Sequence, residues 1–84
     1  MTTDEAIDAL CNTQTARWGR LRREGVAALV RSARVAYRTN HEPHEIRAHV
    51  RSELKLAGFS WIAIQILLAL LPYLIDLWSE DPPQ

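Results

Sequence analysis

Three histidines close together in the middle of the chain are the first residues to consider for chemistry. His41, His44 and His49 fall within nine residues, with Glu42 and Glu45 among them. A helical zinc motif needs two histidines four residues apart, whereas His44 and His49 are five apart and differ by about 140° around a helix. His41 and His44 could form a pair, but a stable metal site needs further ligands. We therefore expect surface histidines and no metal.

The remaining side chains form no catalytic pattern. The sequence has no glycine-rich phosphate loop, no nucleophile elbow and no cysteine spacing typical of a metal site. Its single cysteine, Cys11, excludes an internal disulfide framework and fits a small apolar core position beside Leu10. We expect a non-enzymatic protein with no catalytic residues, no cofactor and no small-molecule substrate.

Arginine makes up nearly all of the basic residues and is concentrated in one block. Seven arginines lie within residues 17–38, against the single acid Glu24. At 100° per residue, five of them share one side of a predicted helix: Arg20, Arg23, Arg31, Arg34 and Arg38. Guanidinium groups bind phosphate well, so this face could contact a nucleic-acid backbone or anionic lipid head groups. The alternative is an ordinary solvated surface, paired in part with acids of the amino-terminal segment such as Asp8.

Hydrophobic periodicity predicts an αα-hairpin built from two amphipathic helices. The first covers about residues 15–39, and the side opposite the arginines holds Trp18, Leu21, Gly25, Leu29, Ser32 and Ala36. The second follows a short turn, begins at Pro43 and places on one face Ile46, Val50, Leu54, Ala57 and Trp61. A short helix precedes the hairpin, because Thr2 and Glu5 have the spacing of a capping box.

The longest uncharged segment of the chain comprises the twenty residues from Leu56 to Ile75. Twenty helical residues span about 30 Å, the thickness of the hydrocarbon core of a bilayer. Trp61 and Trp78 stand near its ends, where amphipathic rings favour the membrane interface. These features predict a membrane-associated protein. Basic residues precede the segment and only acids follow it, so the positive-inside rule predicts that the amino-terminal part is cytoplasmic.

The same segment also fits a soluble protein. A helix that is apolar on all sides can form the central element of a soluble oligomer, and such a protein would be cytoplasmic. Gln65, Pro72 and Asp76 make the segment less lipid-like than a helix of leucine alone. The sequence leaves both interpretations open.

A stripe of small and polar residues predicts self-association under either interpretation. Its members lie within about 40° of one line along the helix: Gly58, Gln65, Ala69, Pro72 and Asp76. An unpaired Gln65 amide in an apolar environment would cost free energy, and a second copy of the helix could supply its hydrogen bond. We therefore predict that this stripe is an oligomer interface.

Together these patterns predict an all-α protein of three to four helices, with an αα-hairpin followed by a long apolar carboxy-terminal helix. We divide it into a basic hairpin domain at residues 1–55, the apolar helix at 56–78 and an acidic tail at 79–84, and we expect the helix to continue through Gly58. The function expected is membrane-associated self-association with an arginine-rich cytoplasmic hairpin. The alternative is a soluble homo-oligomer that serves as a scaffold or binds nucleic acid.

Overall fold

The chain folds into a bundle of helices. The computed structural model describes residues 1–13, 19–39 and 42–83, and within them it contains four helices and no strand. The helices are α1 (Thr3–Thr13), α2 (Gly19–Thr39), α3 (Pro43–Leu56) and α4 (Trp61–Glu80). The all-α prediction is therefore confirmed. Side chains are described except at residues 13 and 19–22, so the predictions for Trp18, Arg20, Leu21 and His41 lie outside this description.

Local sequence signals start three of the helices. The N–H of Thr2 donates to Glu5 Oε1 at 3.0 Å and the N–H of Glu5 donates to Thr2 Oγ1 at 3.2 Å, which confirms the capping box. The Thr2 backbone N–H and, more weakly, the Thr2 side chain bond to the Glu5 carboxyl and lower its pKa, so this stabilisation is present above the ordinary carboxyl pKa and is lost as the pH falls. Pro43 opens α3, and Ser60 Oγ caps α4 by accepting from the N–H of Ala63 at 3.2 Å.

The prediction that the helix continues through Gly58 is wrong. Gly58 has a φ of +91° and separates α3 from α4. The N–H of Phe59 donates to the carbonyl of Leu54, and the N–H of Gly58 donates to that of Lys55. These two bonds form a Schellman motif, which satisfies carbonyl groups in the last turn of α3. The motif needs one residue in a left-handed backbone conformation, which glycine adopts at little cost in free energy. The apolar helix therefore begins at Trp61 instead of Leu56.

The αα-hairpin of α2 and α3 holds the predicted core positions near its middle. Ile46, Val50 and Leu54 of α3 are buried, as are Gly25, Leu29 and Ala36 of α2. Three further residues of α2 are buried that were not predicted on the core face: Val26, Val30 and Ala33. Ser32 is only half-buried. Ala57 and Trp61 were predicted on the core face of α3, but both are exposed because α3 ends before them.

α4 packs against all three other helices and completes their core. Its buried side chains are Ile64, Leu67, Leu68, Leu70, Leu71, Leu74 and Trp78. The indole of Trp78 contacts the ring of Tyr37 with centroids 5.3 Å apart and planes at 53°. Cys11 of α1 is buried in the same core, in agreement with its predicted role. One continuous hydrophobic core therefore includes side chains from all four helices.

Replacing Leu74 with alanine should destabilise the bundle by about 2–5 kcal/mol, because it opens a cavity at a fully buried position. The measurement is urea unfolding followed by circular dichroism. Leu56→Ala is the matched control, since Leu56 is largely exposed at the end of α3. Equal effects of the two substitutions would contradict the placement of α4 in the core.

Candidate functional site

The histidine segment does not assemble a ligand cluster in the described part of the chain. His44 Nδ1 lies 4.0 Å from Glu42 Oε2, and both side chains are exposed. His49 is half-buried on α3 and lines a shallow surface depression with Glu53 and Arg31. Among the described residues, no group of three or more His, Cys, Asp or Glu side chains could hold a metal ion. The absence of enzymatic activity and of a cofactor remains a prediction.

The predicted arginine face lies along the outside of α2. Arg23, Arg31 and Arg38 are exposed, Arg34 is half-buried, and the side chain of Arg20 is not among those described. The four described side chains fall within about 80° of one another around the helix. Their arrangement leaves the face accessible to a partner, but its role as an anionic-partner face remains a prediction.

Arg23 is paired with an acid of α1. Its Nη1 atom lies 2.6 Å from Asp8 Oδ1, and the hydrogen bond and charge of Asp8 raise the pKa of Arg23. Glu24 and Arg31 lie next to Arg23 around a shallow depression. Part of the arginine face is therefore neutralised by α1, as the alternative interpretation of the sequence proposed. Arg31 and Arg38 are the exposed members of the face that lie further from this ion pair along α2.

Most of the large apolar side chains that are exposed in the described part of the chain lie on α4, opposite its buried leucines. Trp61 is 69% exposed, Ile62 66%, Tyr73 50% and Ile66 41%. Together with the polar and small residues among them, these side chains form what we call the open face of α4: Trp61, Ile62, Gln65, Ile66, Ala69, Pro72, Tyr73 and Asp76. At 100° per residue they cover an arc of about 140°. Several large apolar side chains exposed on one face of a small protein, unlike single scattered ones, typically mark a site of interaction.

Four of the five predicted interface residues lie on the open face. Ala69, Pro72 and Asp76 are exposed and Gln65 is half-buried. Gly58 does not belong to it, because it forms the turn before α4, where a Cβ atom would meet no other atom within 4 Å. The structure therefore brings Gln65, Ala69, Pro72 and Asp76 together, and their role as an interface remains a prediction.

Four large side chains of the open face were missed by the sequence analysis: Trp61, Ile62, Ile66 and Tyr73. Only a partial signal for them exists in the spacing of the buried leucines. Leu67, Leu70, Leu71 and Leu74 follow the i, i+3, i+4, i+7 pattern of one helical face. Ile64, Leu68 and Trp78 lie outside these four positions and are buried as well, so the spacing alone does not separate the exposed side of α4 from the buried one.

Two open grooves run along the edges of the open face. One has a volume of about 290 Å³, lies between α2 and the start of α4, and is lined in part by Ile62, Ile66 and Phe59. A Cβ atom on Gly25 at its base would lie 3.2 Å from Leu67 Cδ2, so this glycine allows α2 and α4 to approach closely. The other groove, of about 310 Å³, separates the start of α3 from the second half of α4 and includes Arg47.

α4 also meets the requirements of a membrane span. Among the described residues it is the one helix that is long and apolar enough to cross a bilayer, by length and composition alone. The core helix of a soluble protein can have the same length and composition, and α4 does form part of this core. The exposed side of α4, by contrast, has apolar side chains that are accessible to solvent, lipid or another protein.

Comparison with known proteins finds no matching protein-family model, no matching curated protein and no matching solved structure.

Reversing the charge of Arg31 and Arg38 together should weaken binding to anionic vesicles or nucleic acid while leaving the helix content nearly unchanged. Both residues are exposed on α2, so the core is untouched. Arg23 is kept, because Arg23→Glu would break the ion pair and place two acids side by side. The measurement is vesicle and oligonucleotide binding at several salt concentrations. Wild-type binding that does not weaken with salt, or that is absent at low salt, would contradict an electrostatic partner.

Proposed function

We propose that this chain is a small non-enzymatic helical protein that acts by association, with the open face of α4 as its contact surface and a second copy as its partner. The observation that carries the proposal is the exposure of Trp61 and Ile62 on the same helix whose leucines fill the core. Aromatic side chains on a helix surface are frequent anchors of protein interfaces. The arginine face of α2 stays available in such an assembly for an anionic partner.

The composition of the open face supports an oligomer of folded bundles. Its apolar side chains are interrupted by Gln65 and Asp76, so it combines hydrophobic contact area with hydrogen-bonding groups. Such a mixture is typical of interfaces between soluble proteins, whose apolar centre is surrounded by a polar rim. Ala69 has a small side chain at the middle of the face, which permits close approach of a neighbouring helix.

The packing of α4 supports association in the folded form over a membrane span that leaves the bundle. Removing α4 would expose the buried residues of α1, α2 and α3 that contact it, in addition to seven buried residues of its own. If α4 instead remained packed, a bilayer around it would have to accommodate neighbouring charges such as Arg47, which lines the groove beside Pro72. A charged side chain in the hydrocarbon core is costly.

Membrane association is the second candidate function, and the length and apolar composition of α4 favour it. In that arrangement α4 would serve as a carboxy-terminal anchor. The basic residues that precede it, Arg47, Arg51 and Lys55, would favour a cytoplasmic position for the amino-terminal part. The open face would then contact lipid or another anchor helix.

Replacing Ile62 with lysine should shift the oligomer towards monomer, because it places a charge within the proposed contact. Truncating an interface anchor typically costs 2 kcal/mol or more, so we expect a rise in the dissociation constant of about thirtyfold or more. The measurement is sedimentation velocity of the full chain over a range of concentrations, with and without detergent.

Val35→Lys is the matched control, because Val35 is 57% exposed but lies on α2 beside His49 and Glu53, away from the open face. It should leave the oligomer size unchanged. A wild-type chain that stays monomeric at all concentrations in buffer would contradict self-association. A wild-type chain that is recovered only in detergent would instead favour the membrane candidate.

A further inference from the structure

We propose that two copies pair through the open face with their α4 helices antiparallel and Ala69 at the two-fold axis. This inference rests on the proposed self-association and specifies its geometry. Ala69 lies near the centre of the face both along the helix, between Trp61 and Asp76, and around it. A two-fold axis at this point brings the same surface of both copies together, as a closed dimer requires.

The charges of α4 favour the antiparallel orientation. Its first turn carries no acid and its last turn carries no base, whereas Asp76 and Glu80 are exposed near its carboxy terminus. Carboxylates at this end are unfavourable, because the helix dipole is negative there and positive at the amino terminus. In an antiparallel pair, these carboxylates lie near the amino terminus of α4 of the second copy. In a parallel pair, Asp76 would lie beside Asp76.

The side chains at the α2 edge of the open face fit together in this arrangement. Measured along the helix, with a rise of about 1.5 Å per residue, Tyr73 lies about 6 Å from the two-fold axis at Ala69. On the same side, Ile66 and Ile62 of the second copy lie about 4.5 and 10.5 Å from the axis. The ring of Tyr73 therefore falls between these two isoleucines, over the groove of about 290 Å³ that they line with Phe59.

The side chains at the α3 edge are complementary in hydrogen bonding. Along the helix, Asp76 lies about 10.5 Å from the two-fold axis. On the same side of the axis, Gln65 and Trp61 of the second copy lie about 6 and 12 Å from it. The amide of Gln65 and the indole N–H of Trp61 are donors, whereas the carboxylate of Asp76 is an acceptor. Each copy thus supplies the acceptor for two donors of the other. A parallel pair would place each of these groups at the same height as a copy of itself and would not bring the donors to the acceptor.

A cysteine pairing experiment tests the orientation. In a Cys11→Ala background, which removes the buried thiol, Ile66→Cys and Tyr73→Cys are made as separate chains. Positions 66 and 73 of opposite copies lie at nearly the same height only in the antiparallel pair. We therefore expect a disulfide between the two chains when they are mixed under mild oxidation, and little disulfide dimer when either is oxidised alone. Val35→Cys controls for random collision.

The outcomes separate this inference from the proposed function. Disulfide dimers of each variant alone, without a mixed product above them, would overturn the antiparallel orientation but leave self-association intact. A chain that is monomeric by sedimentation and forms no disulfide above the Val35→Cys level would overturn both. Circular dichroism of each variant establishes that it is folded; both positions are exposed, so their replacement leaves the core intact.

Asp76→Asn tests the same orientation without a crosslink. In the antiparallel pair the substitution removes a charged acceptor from two donors and from the amino terminus of the second copy, so the dissociation constant should rise several-fold. In a parallel pair it would remove the repulsion between two Asp76 carboxylates, and the dissociation constant would fall. Glu53→Gln on α3 is the control for a general loss of negative charge. A fall in the dissociation constant specific to Asp76→Asn would overturn the inference.

Discussion

The structure depends on a mismatch between α4 and the helices that cover it. α4 is apolar around nearly its whole circumference, but α1, α2 and α3 contact only one side of it. The leucines on that side, together with Trp78, close the core of a chain that is too small to bury much surface otherwise. Trp61, Ile62 and the other apolar residues of the opposite side remain exposed as a consequence. The same helix therefore stabilises the bundle and exposes the surface that we propose for association.

Electrostatics divides the surface into regions with different properties. The arginines of α2 lie on the outside of the hairpin, and one of them, Arg23, is held by Asp8 of α1. The carboxy-terminal part of α4 carries Asp76 and Glu80, where the helix dipole does not favour them. Apolar area on the open face can bind many partners, whereas the position of these few charges selects among orientations. The proposed antiparallel pair uses both properties.

Association through the open face would be linked to folding. A second copy would bind the native bundle, because the open face is formed only while the leucines on the other side of α4 are packed. Binding to the native state alone raises apparent stability with protein concentration. A membrane span of α4 outside the bundle would have the opposite consequence, since it would withdraw Leu67, Leu71 and Leu74 from the core. The proposed dimerisation would therefore stabilise the fold, and insertion of α4 alone would unfold it.

The sequence by itself determined the features that depend on near neighbours in the chain. The Thr2–Glu5 capping box, the start of α3 at Pro43 and the core positions of Ile46 and Val50 follow from spacings within one or two helical turns. The prediction that the helix continues through Gly58 was wrong. A glycine can occupy either a helix interior or a left-handed cap, and here the two hydrogen bonds of the Schellman motif decide for the cap.

Only the tertiary structure decided which side of α4 is buried. Trp61 and Trp78 both border the apolar segment, yet Trp61 is exposed and Trp78 packs against Tyr37 in the core. A helix that is apolar on every side has little periodic contrast of its own, so its orientation is determined by distant partners on α1, α2 and α3. Those long-range contacts separate the leucines of the core from the open face.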